Sequence, residues 1–314
     1  MIMSMSFTFL LNFIIFAAIL QIHVASRCAE EQHASKAHVA VGFYGATRNL
    51  SNVLHTFENH VFKVLERENV AYDVFSSTMG TSSAAATRGS KRSLGPLDPF
   101  DVQLLQPCHF SVLDQQRARL HEFSLFKMAR GMNRHNLTLY KHLDEFADEF
   151  ESVQNLLCAY HSQRELLYMV RAHEHARGFK YDALLVLRPD TAMVRDIDLP
   201  ENLAEIRQDN HSIWLPDFQH YGGYNDRLAY GSLPAMSVYL HRGQLFRDAP
   251  GVFPAAERLV KYALNKGNVT VKFTSARVMR VRQNRAVAEV KHVMNITDAE
   301  WNRCVKGARL TDTC

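Results

Sequence analysis

The sequence has no cysteine spacing of the zinc-binding kind, no internal repeat and no concentrated basic face. Its five cysteines, Cys28, Cys108, Cys158, Cys304 and Cys314, are too scattered for a zinc site, which removes metal binding by cysteine from the expected chemistry. The net charge of +4 is spread over 314 residues, and the one short basic run, Arg88 to Arg92, is too small for the electrostatic footprint that nucleic acid requires. Lys and Arg are also missing ahead of the first apolar run, which weakens both a typical signal peptide and an anchor with a cytoplasmic N-terminus.

What is present is ordinary for a globular chain, at 47% hydrophobic and 22% charged residues, with length enough for a sizeable core. Phe7 to Ala25 is the one strongly hydrophobic segment. Residues 1–26 therefore read as a signal anchor or a signal peptide. The run is nearly long enough to span a bilayer, and Val24-Ala25-Ser26 offers small residues for cleavage. A polar stalk over 27–37 and one domain over 38–314 follow. The expected setting is the secretory pathway, as a Golgi membrane protein with a lumenal domain, or a secreted protein if the segment is cleaved. Sequons at Asn49, Asn136, Asn210, Asn268 and Asn295 suit that setting. In an oxidising lumen cysteines pair. Cys304 with Cys314 closes a short C-terminal loop, Cys108 with Cys158 ties a strand to a helix, and Cys28 is left over.

The stretch YDALLVLRPDT, Tyr181 to Thr191, organises the rest. Ala183 to Leu187 is apolar on both faces and too short for a helix, so it reads as a buried central strand of a parallel sheet. Arg188 and Asp190 share a face if the chain stays extended through Pro189, which ends the ladder. Ligands of open α/β sheets bind outside the carboxyl ends of the strands, where this pair would sit. The alternative is an Arg–Asp ion pair that closes a loop.

Earlier in the chain, His38 to Tyr44 reads as a first buried strand that turns through Gly45 to Asn49. A helix with Val53, Phe57, Val61 and Val64 on its apolar face follows, capped by Asn49 or Ser51. Tyr72 to Ser76 completes a βαβ unit of Rossmann type. Met79 to Pro99 has no periodicity and reads as a surface loop or lid. Cys108 to Leu113 is a third strand, and a long helix from Tyr140 to His175 stops at Gly178. After a polar connection come a short strand at Ser212 to Asp217, a glycine hinge over Tyr221 to Arg227, helices at Pro234 to Leu240 and Ala255 to Leu264, and a strand with Val269, Val271 and Phe273.

Three polar clusters follow predicted strands: Gly45 to Arg48, Arg188 to Asp190, and Asn225 to Arg227. Loops at one sheet edge converge on one cleft. Arg48 and Arg188 would supply fixed positive charge for a diphosphate, Asp190 a hard oxygen ligand for Mg²⁺ or Mn²⁺, and Asp226 a base or hydrogen-bond acceptor.

The order VGFYGATR, YDVFSST, NLLCAYHSQRELLYMVRAHE, YDALLVLRPDT, PDFQHYGGYNDRLAYGS and FPAAERLVKYAL resembles the GT-A-type glycosyltransferases of algae, plants and bacterial surface-polysaccharide loci, over about Val39 to Arg282. The resemblance implies an α/β, Rossmann-like, mostly parallel sheet with flanking helices in a single domain. It also implies a nucleotide sugar lying across the first βαβ unit and a glycan or glycoconjugate acceptor opposite. Carried onto this chain, it gives Gly45, Arg48, Arg188 and Asn225 to donor binding, Asp190 to a Mn or Mg ion, and Asp226 with Glu257 to catalysis at the acceptor side. Arg188 stands where such families have the first Asp of an Asp-x-Asp, so Arg188 itself can supply the charge a cation would bring. A catalytically silent lectin-like or scaffold domain of the same fold is the rival reading, and a secreted hydrolase using Asp190 and Asp226 is a third.

Overall fold

The computed structural model describes residues 26–29, 36–47, 50–80, 100–132, 150–248, 255–282, 285–288 and 291–314. The N-terminal apolar segment, Arg48, Asn49, the basic loop, Asn136 and the expected start of the long helix lie outside the described residues.

β1 (His38–Ala46), β2 (Ala71–Gly80), β3 (His109–Asp114) and β4 (Ala183–Leu187) run parallel to one another. With β6 (Ser212–Pro216), β7 (Leu228–Gly231) and β8 (Thr270–Thr274) they make a seven-stranded sheet in the order β3-β2-β1-β4-β7-β6-β8. The apolar run Ala183–Leu187 is thus the middle strand, and all five of its residues are fully buried. Its second neighbour departs from the expected parallel order: β7 is antiparallel to both β4 and β6, while β6 is parallel to β8. A sheet covered on both faces needs apolar residues at every position of its central strand, which is why no alternation is visible there.

One face carries Val39, Val41, Phe43, Leu185 and Leu187, the other Ala40, Tyr44, Leu184 and Val186, each inside its own apolar core. Against the first face lies α1 (Leu50–Phe57), which continues through a π-helical turn, Glu58–Phe62, into α2 (Lys63–Arg67). The four expected apolar positions, Val53, Phe57, Val61 and Val64, are all buried there. The second face is covered by α4 (Glu151–Arg177), through Leu166, Leu167 and Val170, together with Met236 and Val260 of later helices. Gly178 ends α4 in the left-handed conformation at φ +71, with its N–H returning to Glu174 O at 2.9 Å.

Among the described residues four helices escaped the sequence reading, a C-terminal one at Asp298–Cys304 and three nearer the site. α3 (Gln115–Ala129) follows β3 directly, α5 (Leu199–Gln208) occupies the supposed polar connection, and α7 (Arg242–Asp248) follows α6 (Leu233–Leu240). For α5 the signal existed: Pro200 in the first turn and buried Leu199, Leu203 and Ile206 at four- and three-residue spacing. α8 (Ala256–Lys266) and β9 (Val278–Arg280), which pairs with β5 (Thr191–Met193), complete the surroundings of the site.

The disulfides correct one expectation. Cys304 pairs with Cys314, but Cys108 pairs with Cys28, leaving Cys158 free and buried. The reason lies in the 27–37 stretch read as a stalk. Arg27 to Ala29 are held to the sheet by Arg27 N to Gln106 O, Val74 N to Arg27 O and Ala29 N to Asp73 Oδ1, which brings Cys28 beside Cys108. Two disulfides fit an oxidising, secreted or lumenal setting. Among the described residues no helix is long and apolar enough to cross a membrane.

Candidate functional site

A cleft of about 870 Å³ opens at the carboxyl ends of β1, β2 and β4. Its lining combines the tip of β1 (Tyr44, Gly45, Ala46), one side of α4, the turn after β4 (Arg188, Asp190), the 221–227 segment, the start of α8 and the arginines at and beyond the end of β9. Six arginines, 188, 227, 242, 258, 280 and 282, face three carboxylates, Asp190, Asp226 and Glu257, so the cleft attracts anions.

Gly45 sits in this wall at φ +96, a conformation that L side chains rarely adopt. Its N–H donates to Ser162 Oγ at 2.9 Å, and the same hydroxyl donates to Ser77 O, so one α4 serine locks β1 and β2 at the cleft floor.

Arg188 and Asp190 come together by a route other than strand periodicity. The strand ends at Leu187, and a turn closed by Thr191 N and Thr191 Oγ1 on Arg188 O, the latter at 2.8 Å, folds the two side chains onto each other. Arg188 Nε donates to Asp190 Oδ1 at 2.9 Å and Nη2 to Oδ2 at 2.8 Å, a two-bond fork. Burial works against the guanidinium charge, but Asp190, then Asp226 and Tyr44, outweigh it and raise its pKa. The ion pair weighed as the alternative is therefore present, inside the cleft.

Asp226 stands beside the fork, one residue before Arg227, whose carbonyl accepts from Arg188 N at 3.3 Å, and Glu257 lies near enough to feel the Asp226 charge. The Asp226 backbone oxygen accepts from Tyr44 Oη at 2.6 Å and from Tyr239 Oη at 3.0 Å, so two buried tyrosines fix its main chain to the first strand and to α6. Glu257 is in the first turn of α8. Burial raises its pKa and the Asp226 carboxylate raises it further. Gly223 sets the spacing between the two segments. A Cβ there would fall 1.9 Å from Glu257 O, and the next N–H, that of Tyr224, donates to the same oxygen at 2.9 Å. Only glycine permits so close a backbone approach.

Asn225 is not part of the cleft lining. Its Nδ2 donates to Phe218 O at 2.9 Å and its Oδ1 accepts from Arg227 N at 3.0 Å, so its amide holds the loop that presents Asp226. Arg48 lies outside the described residues. Sequence reasoning missed Tyr44, Tyr160, Gln163, Arg242 and Arg280 as lining residues. Arg242 is the least legible: it is fully buried, stacked over Tyr239 and Tyr160 at 4.1 and 5.2 Å from their ring centroids, with one bond to Tyr239 O at 2.7 Å. An arginine that begins a helix gives no sign in sequence of being inside.

The residues at Asp190 suit a hard cation poorly, because both carboxylate oxygens already accept from Arg188. Among the described residues, one grouping of three possible metal ligands exists, Cys28, Asp73 and Cys108. It stands near the start of β2, at the other end of the sheet from Met79 in the cleft, and two of its members are joined in the disulfide.

Fold and site define an α/β protein with an anion-attracting cleft at the carboxyl ends of its parallel strands. Compared with known protein families and curated proteins, the chain matches none.

Proposed function

We propose that the chain is a glycosyltransferase of GT-A type, moving a sugar from a nucleotide-sugar donor to a glycan or glycoconjugate acceptor in the lumen of the secretory pathway, with the Golgi as its compartment. The observation that carries this is the meeting, in one cleft, of the β1 tip, the Arg188 fork and the Asp226–Glu257 carboxylate pair.

The diphosphate pairs with the guanidinium groups of Arg188, Arg280 and Arg282, and the acceptor hydroxyl with Asp226 and Glu257, which stand close to those arginines. The acceptor hydroxyl oxygen attacks the anomeric carbon. The bond from that carbon to the phosphate oxygen breaks, and its electron pair leaves with the nucleoside diphosphate. Negative charge grows on the leaving group, so a fixed guanidinium contributes most in the transition state. The proton of the attacking hydroxyl passes to a carboxylate, for which Asp226 is positioned by its two tyrosine bonds. Glu257, with its raised pKa, is the neighbouring acid that tunes or shares that proton. No step requires a metal: Arg188 supplies the charge.

A second reading, a catalytically silent glycan-binding domain, is favoured by the same fork, since a carboxylate bonded twice to its neighbour can be purely structural. Incubation with nucleotide sugars and glycan acceptors separates the two. Release of nucleoside diphosphate that depends on acceptor, and is lost in Asp226→Asn, supports the transferase. Glycan binding without release supports the silent domain.

A further inference from the structure

Beside the cleft, the 217–227 segment and the end of β8 display aromatic rings that a packed domain would ordinarily cover. Tyr221 is 60% exposed and Phe273 53% exposed. His220, next in the chain to Tyr221, and Tyr224 pack on Phe273, with ring centroids 5.5 Å and 6.4 Å from it and 5.9 Å from each other. Tyr221 also lines the cleft itself, next in the chain to the glycine pair packed on Arg258 and Glu257. The backbone holds it there at some cost: Tyr221 has φ +44 and Gln219 φ +54, both in the region non-glycine residues avoid. The rings thus form one strip, running from the carboxylate side of the cleft outward to the sheet edge.

Sugar rings present a face of C–H groups that packs on aromatic rings, while their hydroxyls remain solvated, and a strip of such rings accepts successive units of a chain. We infer that the strip from Tyr221 to Phe273 binds an oligosaccharide chain of several residues, so that the acceptor is an extended glycan whose end reaches Asp226 and Glu257. The inference deepens the transferase reading and rests on it for the identity of the cleft. A nucleobase also stacks on aromatics, but a single base covers a single ring, whereas the exposed rings continue from Tyr221 at the cleft to Phe273 at the sheet edge.

The test titrates the full chain with ladders of one to six residues of β-1,4-linked glucose, mannose and xylose, and separately with UDP and GDP, for wild type, Tyr221→Ala, Tyr221→Phe and Phe273→Ala. Affinity for at least one ladder should rise with length. Tyr221→Ala and Phe273→Ala should each weaken the hexamer by about two- to tenfold, with Tyr221→Phe like wild type and nucleotide binding unchanged. Affinity independent of length, hexamer binding equal in all variants, or nucleotide binding lost in Tyr221→Ala overturns the inference. A wild type that binds ladders but no nucleotide leaves the strip standing and removes the transferase reading. One that binds nucleotide but no ladder does the reverse.

Discussion

Arg188 and Asp190 form a two-bond fork, at 2.9 and 2.8 Å, across a turn at the tip of the fully buried central strand of the sheet. The pair is rigid and faces the cleft, so its two members have separable roles. Arg188→Gln should weaken nucleoside diphosphate binding by tenfold or so, the loss of one charge-assisted contact. Asp190→Asn leaves a guanidinium without its carboxylate and should cost about 1–3 kcal/mol in thermal or denaturant unfolding, as well as turnover. Unchanged unfolding in Asp190→Asn would mean the fork contributes nothing to the fold.

Glu257 has a pKa raised by burial and by Asp226. The folded chain therefore holds this proton more tightly than the unfolded chain. Stability from the group is fully present below its unfolded pKa and is lost as pH rises through the folded value. Glu257→Gln should accordingly be more stable than wild type at pH 7 and no more stable at pH 4, by differential scanning calorimetry. The same variant should lose turnover. Equal melting temperatures at pH 7 would contradict the environment described.

Gly223 has no room for a methyl group, with Glu257 O 1.9 Å from its would-be Cβ. Gly223→Ala must push the α8 start away from the 221–227 segment. Turnover should fall at least tenfold, with a smaller effect on nucleoside diphosphate binding, which in the proposed arrangement rests on Arg188 and not on the α8 start. Steady-state kinetics beside nucleotide titration will separate the two.

The architecture was legible where patterns are local. The unbroken apolar run of β4, the βαβ opening and the Gly178 stop each follow from residues a few places apart. So did the gathering of Gly45, Arg188, Asp190 and Asp226 at one edge, because each lies at or beyond the carboxyl end of a strand, whereas Glu257 entered only through the family resemblance. What was not legible depends on contacts between distant segments. The four-residue β7 went unread as a strand, and its antiparallel direction is set by its partners. Arg242 looks like a surface residue until Tyr160 and Tyr239 enclose it. Asn225 sits beside Asp226 in the sequence, yet its amide is spent on the loop backbone. Cys28 finds Cys108 only because the preceding backbone bonds to β2.

Peptide mapping without reduction should find Cys28 joined to Cys108 and Cys304 to Cys314. Burial pushes the Cys158 thiol up to about 12, so it should resist alkylation until the chain is unfolded. The first bridge closes a loop with a sequence separation of 80, and Cys28→Ser should cost about 4.5 kcal/mol by the chain-entropy relation. A peptide joining Cys108 to Cys158 would contradict the fold at the start of β3.

The most direct test of the cleft is isothermal titration of the wild-type chain and Arg188→Gln with nucleoside diphosphates in the presence of a chelator. The expected result is saturable binding by wild type, undiminished by the chelator and weakened in the variant. No binding of any nucleoside diphosphate by wild type, or binding that Arg188→Gln leaves unchanged, would contradict a nucleotide-sugar site held by the arginine at the tip of β4.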